Sequence, residues 1–359
     1  MSGRRIIFVL GNLELGGAER QALILARHLA QQEQVEVWGF NKSGPVADIC
    51  EQYGIRWRVE PVNAQRLQSI QRVAWALRAS GPDVLLPYTW LPNVVCGFVW
   101  KWAGARLCVW NQRDEGLFLP QTTWERWAVQ RTPRFISNSR AGARFLIEKL
   151  KVDPVKVHVV QNGIERSTPQ MDREAWRKRL EIDDASFVAC MVANLHTNKD
   201  HETLLRAWQI VMATLEREAV LVLAGRHDGA YESLVALTRE LGIERGVRFA
   251  GQVSDVAGLL TAVDIGVFSS RSEGCPNGVL ECMAAGLAVA ATDIEGVREV
   301  AGSSELLTPV GDAAALSHTI LKLAGDPALC SKIGAENRKR VVEKYDAQRM
   351  CEQIEEIIA

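Results

Sequence analysis

Two glutamates, Glu273 and Glu281, stand with seven residues between them in the stretch Ser269-Ser-Arg-Ser-Glu-Gly-Cys-Pro-Asn-Gly-Val-Leu-Glu-Cys-Met-Ala-Ala-Gly286. Ile265 to Phe268 before it reads as a buried strand, and Val279 to Ala285 reads as a helix closed by Gly286. Asn277 suits the N-cap of that helix, which places unbonded backbone N–H groups near Gly278 and Val279. A helix start of this kind, with glycines beside it and with Cys275 and Pro276 in the turn, attracts phosphate. Carboxylates repel phosphate, so Glu273 and Glu281 are better suited to accept hydrogen bonds from sugar hydroxyls. Phosphate and hydroxyls together describe a nucleotide sugar.

Two further stretches fit that chemistry. Lys199 lies in Asn194-Leu-His-Thr-Asn-Lys-Asp200, just after an apolar strand-like run, where a cation would meet a leaving diphosphate; Asn194 and His196 share the loop. Near the N-terminus, Ile6 to Leu10 is followed by Gly11-Asn-Leu-Glu-Leu-Gly16-Gly17-Ala-Glu19 and a helical pattern. Strand, glycine loop and helix form a phosphate-binding layout. The loop is neither a Walker A sequence nor G-x-G-x-x-G. No D-x-D motif occurs, which argues against a required divalent ion. Lys199, the amides near Asn277 and Gly278 and the Gly16–Gly17 loop could stabilise a leaving phosphate without a metal.

The elements that must position these groups alternate strand and helix twice over. The first series runs from Ile6 to Ile164 and the second from Phe187 to Val310, which argues two parallel sheets with right-handed crossovers. Residues 165–184, polar with one proline, read as the connection between them. Asn111 to Gly116 lies just beyond a strand end, where such sheets place ligands.

The wording around Glu273 and Glu281 closely resembles the E-x7-E motif of the family-4 retaining glycosyltransferases. Gly16-Gly17-Ala-Glu19, Asn162-Gly163 and Lys199 resemble further segments of that family, so the likeness covers nearly the whole chain. It implies the GT-B fold, an α/β architecture of two Rossmann-like αβα domains facing each other across a cleft that holds the donor. Residues 1–165 would be the acceptor-side domain and 166–340 the nucleotide-sugar domain, with 341–359 a helix crossing back to the first. The implied activity is that of a retaining, metal-independent glycosyltransferase of hexosyltransferase type. It would use a UDP- or GDP-linked sugar as co-substrate, no other cofactor, and a glycan or lipid-linked glycan acceptor in polysaccharide assembly.

The resemblance assigns Glu281 to the ribose hydroxyls and Glu273 to the donor sugar. Lys199 falls on the leaving diphosphate, and Gly16, Gly17, Asn194, His196, Cys275, Pro276, Asn277, Gly278 and Val279 on donor contacts. Two departures matter. The family's usual arginine partner of the lysine is replaced by Asn194 or His196, and the histidine usual after an earlier strand is absent from Leu86-Pro-Tyr-Thr-Trp-Leu-Pro-Asn93. Arg113 and Asp114 are the substitutes for that contact. An epimerase of the same fold and a non-catalytic nucleotide-sugar binder remain open alternatives; only an enzyme would consume the donor.

The totals set the frame. The chain has 359 residues, 47% hydrophobic and 24% charged, as expected of a globular protein with two domains and no transmembrane run. Eight scattered cysteines without a C-x-x-C pair suggest buried thiols in a reducing compartment, hence a cytoplasmic location. Net charge is -1, yet residues 1–165 carry +7 and the remainder -8. Nine of the eleven tryptophans precede residue 130. With the positive balance they permit peripheral contact with an anionic membrane at its inner face, best around Trp124 to Arg134. No partner among nucleic acids is expected.

Overall fold

The computed structural model describes residues 3–63 and 66–359. Cα packing divides the chain into two units, one of residues 1–163 plus 347–359 and the other of residues 164–346.

The first unit is a seven-stranded parallel sheet: β1 (Arg5–Leu10), β2 (Gln34–Phe40), β3 (Arg56–Glu60), β4 (Val84–Pro87), β5 (Leu107–Gln112), β6 (Arg134–Ser137) and β7 (Val157–Val159). Its spatial order is β3-β2-β1-β4-β5-β6-β7. Alternation along β1 explains why the strand is buried on both faces. Ile6, Phe8 and Leu10 pack on one side with the helix Gly17–Leu29 and the C-terminal helix Ala347–Ile358. Ile7 and Val9 pack on the other with the helices Leu67–Ser80 and Trp90–Val99. The C-terminal helix is seated closely: a Cβ on Gly163 would lie 2.5 Å from Ala347 Cα. Gln21 binds the Gly163 peptide from both sides, accepting from its N–H at 3.0 Å and donating to its carbonyl at 2.9 Å.

The second unit repeats the plan with β8 (Phe187–Val192), β9 (Ala219–Ala224), β10 (Val247–Gly251), β11 (Ile265–Phe268), β12 (Val289–Thr292) and β13 (Leu307–Thr308), ordered β10-β9-β8-β11-β12-β13. In both sheets the order reverses between the first strand and the fourth. Loops leave that point in opposite directions, and the crevice between them is where open α/β sheets hold ligands.

One expectation needs correcting. The strand read from Val157 to Ile164 stops at Val159, because Asn162 and Gly163 turn toward Arg113 and Gln21 instead of continuing the ladder. The segment 86–93 spans the end of β4 and the start of the helix Trp90–Val99, whose apolar run lacks a polar face because it is buried. The connection 165–184 is firmly held. It carries the helix Arg173–Arg179, and Asp255 accepts from Trp176 Nε1 and from the backbone N–H groups of Gln170, Met171 and Gly258 at 2.9–3.1 Å. Burial alone would raise the Asp255 pKa, but these four donors outweigh it and hold the carboxyl below its usual range. Buried Arg177 donates to the carbonyls of Ala262, Asp183, Asp184 and Ser186.

Candidate active site

The switch point of the second sheet lies at the ends of β8 and β11. From β8 the chain runs through Asn194 to Asp200 into the helix His201–Thr214; from β11 it runs through Ser269 to Pro276 into the helix Asn277–Ala284. The two loops are joined. Lys199 and Ser270 form an antiparallel bridge, Asp200 N–H donates to Ser269 O at 3.1 Å, and Ser269 Oγ returns a bond to Asp200 O at 2.8 Å. Thr292 on β12 clamps Ser270 from behind, accepting from its N–H at 3.0 Å and donating to its carbonyl at 2.8 Å.

This joint brings Lys199 and Glu273 into contact. Lys199 Nζ donates to Glu273 Oε1, and Ser270 Oγ donates to the same oxygen at 2.8 Å. The pair is largely shielded, with side chains 21% and 14% exposed. Shielding strengthens the attraction and lets the lysine reach an incoming anion without a large hydration shell. Ser270 escaped the sequence reading; its only signal was a hydroxyl three residues before the glutamate.

The Asn277 helix begins one residue earlier than the capping pattern suggested. Pro276 is the N-cap, Asn277 is the first helical residue, and no side chain caps the end. Proline holds the extended conformation an N-cap requires, which asparagine was expected to supply through its side chain. Gly278 and the helix start press on the end of β8: a Cβ on Gly278 would lie 2.0 Å from Val192 O. Gly296 admits the Glu273–Gly274 backbone in the same way, with 2.1 Å from its added Cβ to Glu273 O. Val279 is buried, Cys275 is 7% exposed, and Glu281 is half-buried on the fifth helical residue. The buried thiols of Cys190 and Cys282 are pushed up by burial and also by the Glu281 carboxylate, which places that charge beside them. Gly286 closes the helix at φ 79°; its N–H donates to Met283 O and that of Leu287 to Cys282 O, both at 3.0 Å.

Asn194 and His196 serve their own loop. Asn194 Oδ1 accepts from Arg226 N–H at 3.1 Å, and His196 Nδ1 accepts from Asn198 N–H at 3.2 Å on an exposed turn. The next histidine, His201, is buried at 1% exposure. Burial pulls its pKa down to about 4.

In the first unit, Gly16 is the extended N-cap of the helix that opens at Gly17, and its carbonyl accepts from Arg20 N–H at 3.0 Å. Arg113 donates to Asn162 Oδ1 at 2.8 Å and stacks 5.3 Å over the Tyr88 ring. Asp114 is occupied in shaping its turn: Oδ1 accepts from Gln112 Nε2 and Gly116 N–H, both at 2.7 Å, and from Leu117 N–H at 3.1 Å. The structure therefore groups Arg113 and Asp114 at one strand end and Lys199, Glu273 and the Asn277 helix at another.

Residues 172–340 match the family Glycosyl transferases group 1, and residues 15–168 match Glycosyltransferase Family 4. The chain carries both of these glycosyltransferase domains. Among relatives, EpsD of Bacillus subtilis, named as a glycosyltransferase, is 33% identical over 211 residues, covering 56% of this chain and 53% of EpsD. The D-inositol 3-phosphate glycosyltransferase of Kineococcus radiotolerans is 29% identical over 237 residues, covering 60% and 54%. The chain thus spans about half the length of these relatives. Among solved structures, Anabaena HepE in complex with UDP and glucose superposes with a TM-score of 0.86 at 21% identity, covering 99% of both chains. A glycosyltransferase from Rickettsia africae gives 0.85 at 18% identity, covering 100% of this chain and 98% of that one. The fold is GT-B. No helix among the described residues is long and apolar enough to cross a membrane.

Proposed function

We propose that the chain transfers a hexose from a nucleotide-sugar donor to a glycan or lipid-linked glycan, with retention of anomeric configuration and without a metal ion. The observation that carries this is the shielded Lys199–Glu273 pair beside the uncapped start of the Asn277 helix. Breaking the donor's glycosidic bond leaves negative charge on the diphosphate. Lys199 and the first amides of the helix are preorganised to meet it, the arrangement that lowers such barriers most. Glu273 accepts from a hydroxyl of the donor sugar and Glu281 from the ribose. Retention follows if the leaving phosphate itself takes the acceptor's proton, since no second carboxylate is assigned as a nucleophile.

Relatives and neighbours support uridine as the base. HepE was solved with UDP-glucose, and a UDP-galactose-dependent galactosyltransferase of Escherichia coli acting on a diphosphoundecaprenol glycan is 23% identical over 240 residues. The diphosphoundecaprenol acceptor of that relative supports a lipid-linked glycan as acceptor here, and with it contact with the membrane that carries such lipids. The assay is release of UDP from UDP-glucose, UDP-galactose and UDP-N-acetylglucosamine in EDTA. Turnover of one donor without metal, abolished in Lys199→Ala, is the expected result; a strict requirement for magnesium or an unaffected Lys199→Ala would reject the mechanism.

A further inference from the structure

In the second unit, β11 and β12 separate just where the candidate site begins. Their ladder ends at Phe268 and Ala291. Beyond it β12 turns to its other neighbour: Thr292 pairs with Thr308 of β13, and Asp293 N–H donates to Thr308 O at 2.7 Å. The chain leaving β11 turns the opposite way, with Ser269 O accepting from Asp200 N–H at 3.1 Å. A side chain spans the gap. Thr292 Oγ1 accepts from Ser270 N–H at 3.0 Å and donates to Ser270 O at 2.8 Å, and both residues are 0% exposed. One hydroxyl thus replaces a rung of the ladder after the strands have parted.

Ser270 is the joint of the site. Its backbone bridges to Lys199, and its Oγ donates to Glu273 Oε1 at 2.8 Å, the oxygen that also receives Lys199 Nζ. A serine hydroxyl has one proton to give. The carbonyls of Asn198 and Ser272 both lie 3.3 Å from the same Oγ, so the set of the Ser270 backbone decides that the proton goes to Glu273. With its proton and a lone pair spent on the Ser270 peptide groups, Thr292 acts on the Lys199–Glu273 pair through that backbone. Gly296, four residues on, supports the same loop, because a Cβ there would collide with the carbonyls of Glu273 and Gly274.

We propose that Thr292 is a positioning residue of the transfer reaction, its hydroxyl setting the Ser270 backbone and so the placement of Lys199 against Glu273. This rests on the sugar-transfer reading above. The requirement is for a hydroxyl and not for bulk: valine has nearly the same shape but leaves two buried peptide groups of Ser270 without partners. Small displacements matter here because a preorganised charge stabilises the leaving group only from the right place.

The test is a series at one position, Thr292→Ser, Thr292→Cys and Thr292→Val, in falling order of hydrogen-bonding capacity. The first readout is kcat for UDP release beside the Kd for UDP from titration calorimetry. The second is the rate of reductive methylation of Lys199, followed by peptide mass spectrometry, with exposed Lys101 and Lys339 as references. In Thr292→Val, kcat should fall by roughly tenfold or more and Lys199 should react about fivefold faster. The Kd for UDP, carried by Glu281 and the Asn277 helix start, should move less than about threefold, and the reference lysines should not change. Thr292→Ser should match wild type in every readout, with Thr292→Cys between. If Thr292→Val does not fold, the serine and cysteine variants carry both readouts.

Unchanged kcat or unchanged Lys199 labelling across the series would overturn the proposal. So would equal losses in the serine and cysteine variants, or a loss of UDP affinity in step with kcat, since either marks a general weakening of the fold. No UDP release by wild type would instead reject the sugar-transfer reading, with Lys199 labelling still deciding whether Thr292 sets the pair.

Discussion

The two sheets share one strand order, yet their switch points are furnished differently. In the second unit the groups are charged and already paired: Lys199 with Glu273, Arg271 with Asp200 at 3.4 Å, and Arg226 with Asp228 in a two-point contact at 2.7 and 3.0 Å. In the first unit the distinctive features are an unusual backbone at Thr89, aromatic rings, and a side-chain acceptor without a donor. Charge pairing prepares a site for an anion, because the cation can be shared with a phosphate at little rearrangement. Strain and aromatic walls prepare a site for shape. The division is one of chemistry, with paired charge concentrated at the second switch point and aromatic, uncharged features at the first.

The sharpest way to break that comparison is to remove one cation from each side. Lys199→Ala should lower kcat about 100- to 1000-fold, as for loss of one preorganised donor to a developing oxyanion. Arg113→Ala should cost less than about tenfold, since its guanidinium is engaged with Asn162 and Tyr88. Equal losses in steady-state assays would erase the division. Glu273→Gln keeps an acceptor for Ser270 but removes the charge that holds Lys199. A rise of roughly tenfold in donor KM is expected from a weakened charge-assisted hydrogen bond to the sugar.

Acid should act on the second unit through His201. Its folded pKa lies near 4, below the ordinary histidine value of 6.5, because the charged form is not tolerated at that depth. Between those values the unfolded chain binds the extra proton. Stability is therefore complete above pH 6.5 and declines as pH falls toward 4, by on the order of 3 kcal/mol in total. Denaturant unfolding at pH 7.5, 5.5 and 4.5 measures the slope, and His201→Leu should flatten it. The smallest effect is expected at Thr89. Thr89→Gly should raise stability by about 1 kcal/mol in the same measurement, because glycine adopts the observed backbone without strain.

Much of the second unit was legible because its chemistry lies in short contiguous stretches. Glu273, Pro276, Gly278 and Glu281 occur within nine residues, and strand, loop and helix follow from their apolar pattern. Lys199 was legible as a loop cation, but its contact with Glu273 was not, since only pairing of the β8 and β11 loops brings the two together. The first unit was harder to read. No residue pattern reveals that Thr89 takes a positive φ, and the buried helix after it has no polar face to mark it. Asp114 attracted attention as a carboxylate at a strand end, but the same position favours a turn cap, and three donors on one oxygen show that the turn prevails. The 165–184 connection looked like a linker by composition, whereas Asp255 and Arg177, far apart in sequence, fasten it to the second unit.

The central claim is that the second switch point holds a nucleoside diphosphate without a metal. Thermal unfolding with UDP in EDTA tests it most directly, on wild type, Glu281→Ala and Thr89→Gly. At about a hundred times its dissociation constant UDP should add roughly 2.7 kcal/mol of apparent stability. The account predicts that gain in wild type and Thr89→Gly and its loss in Glu281→Ala. No gain in wild type at any UDP concentration, or the full gain in Glu281→Ala, would contradict it.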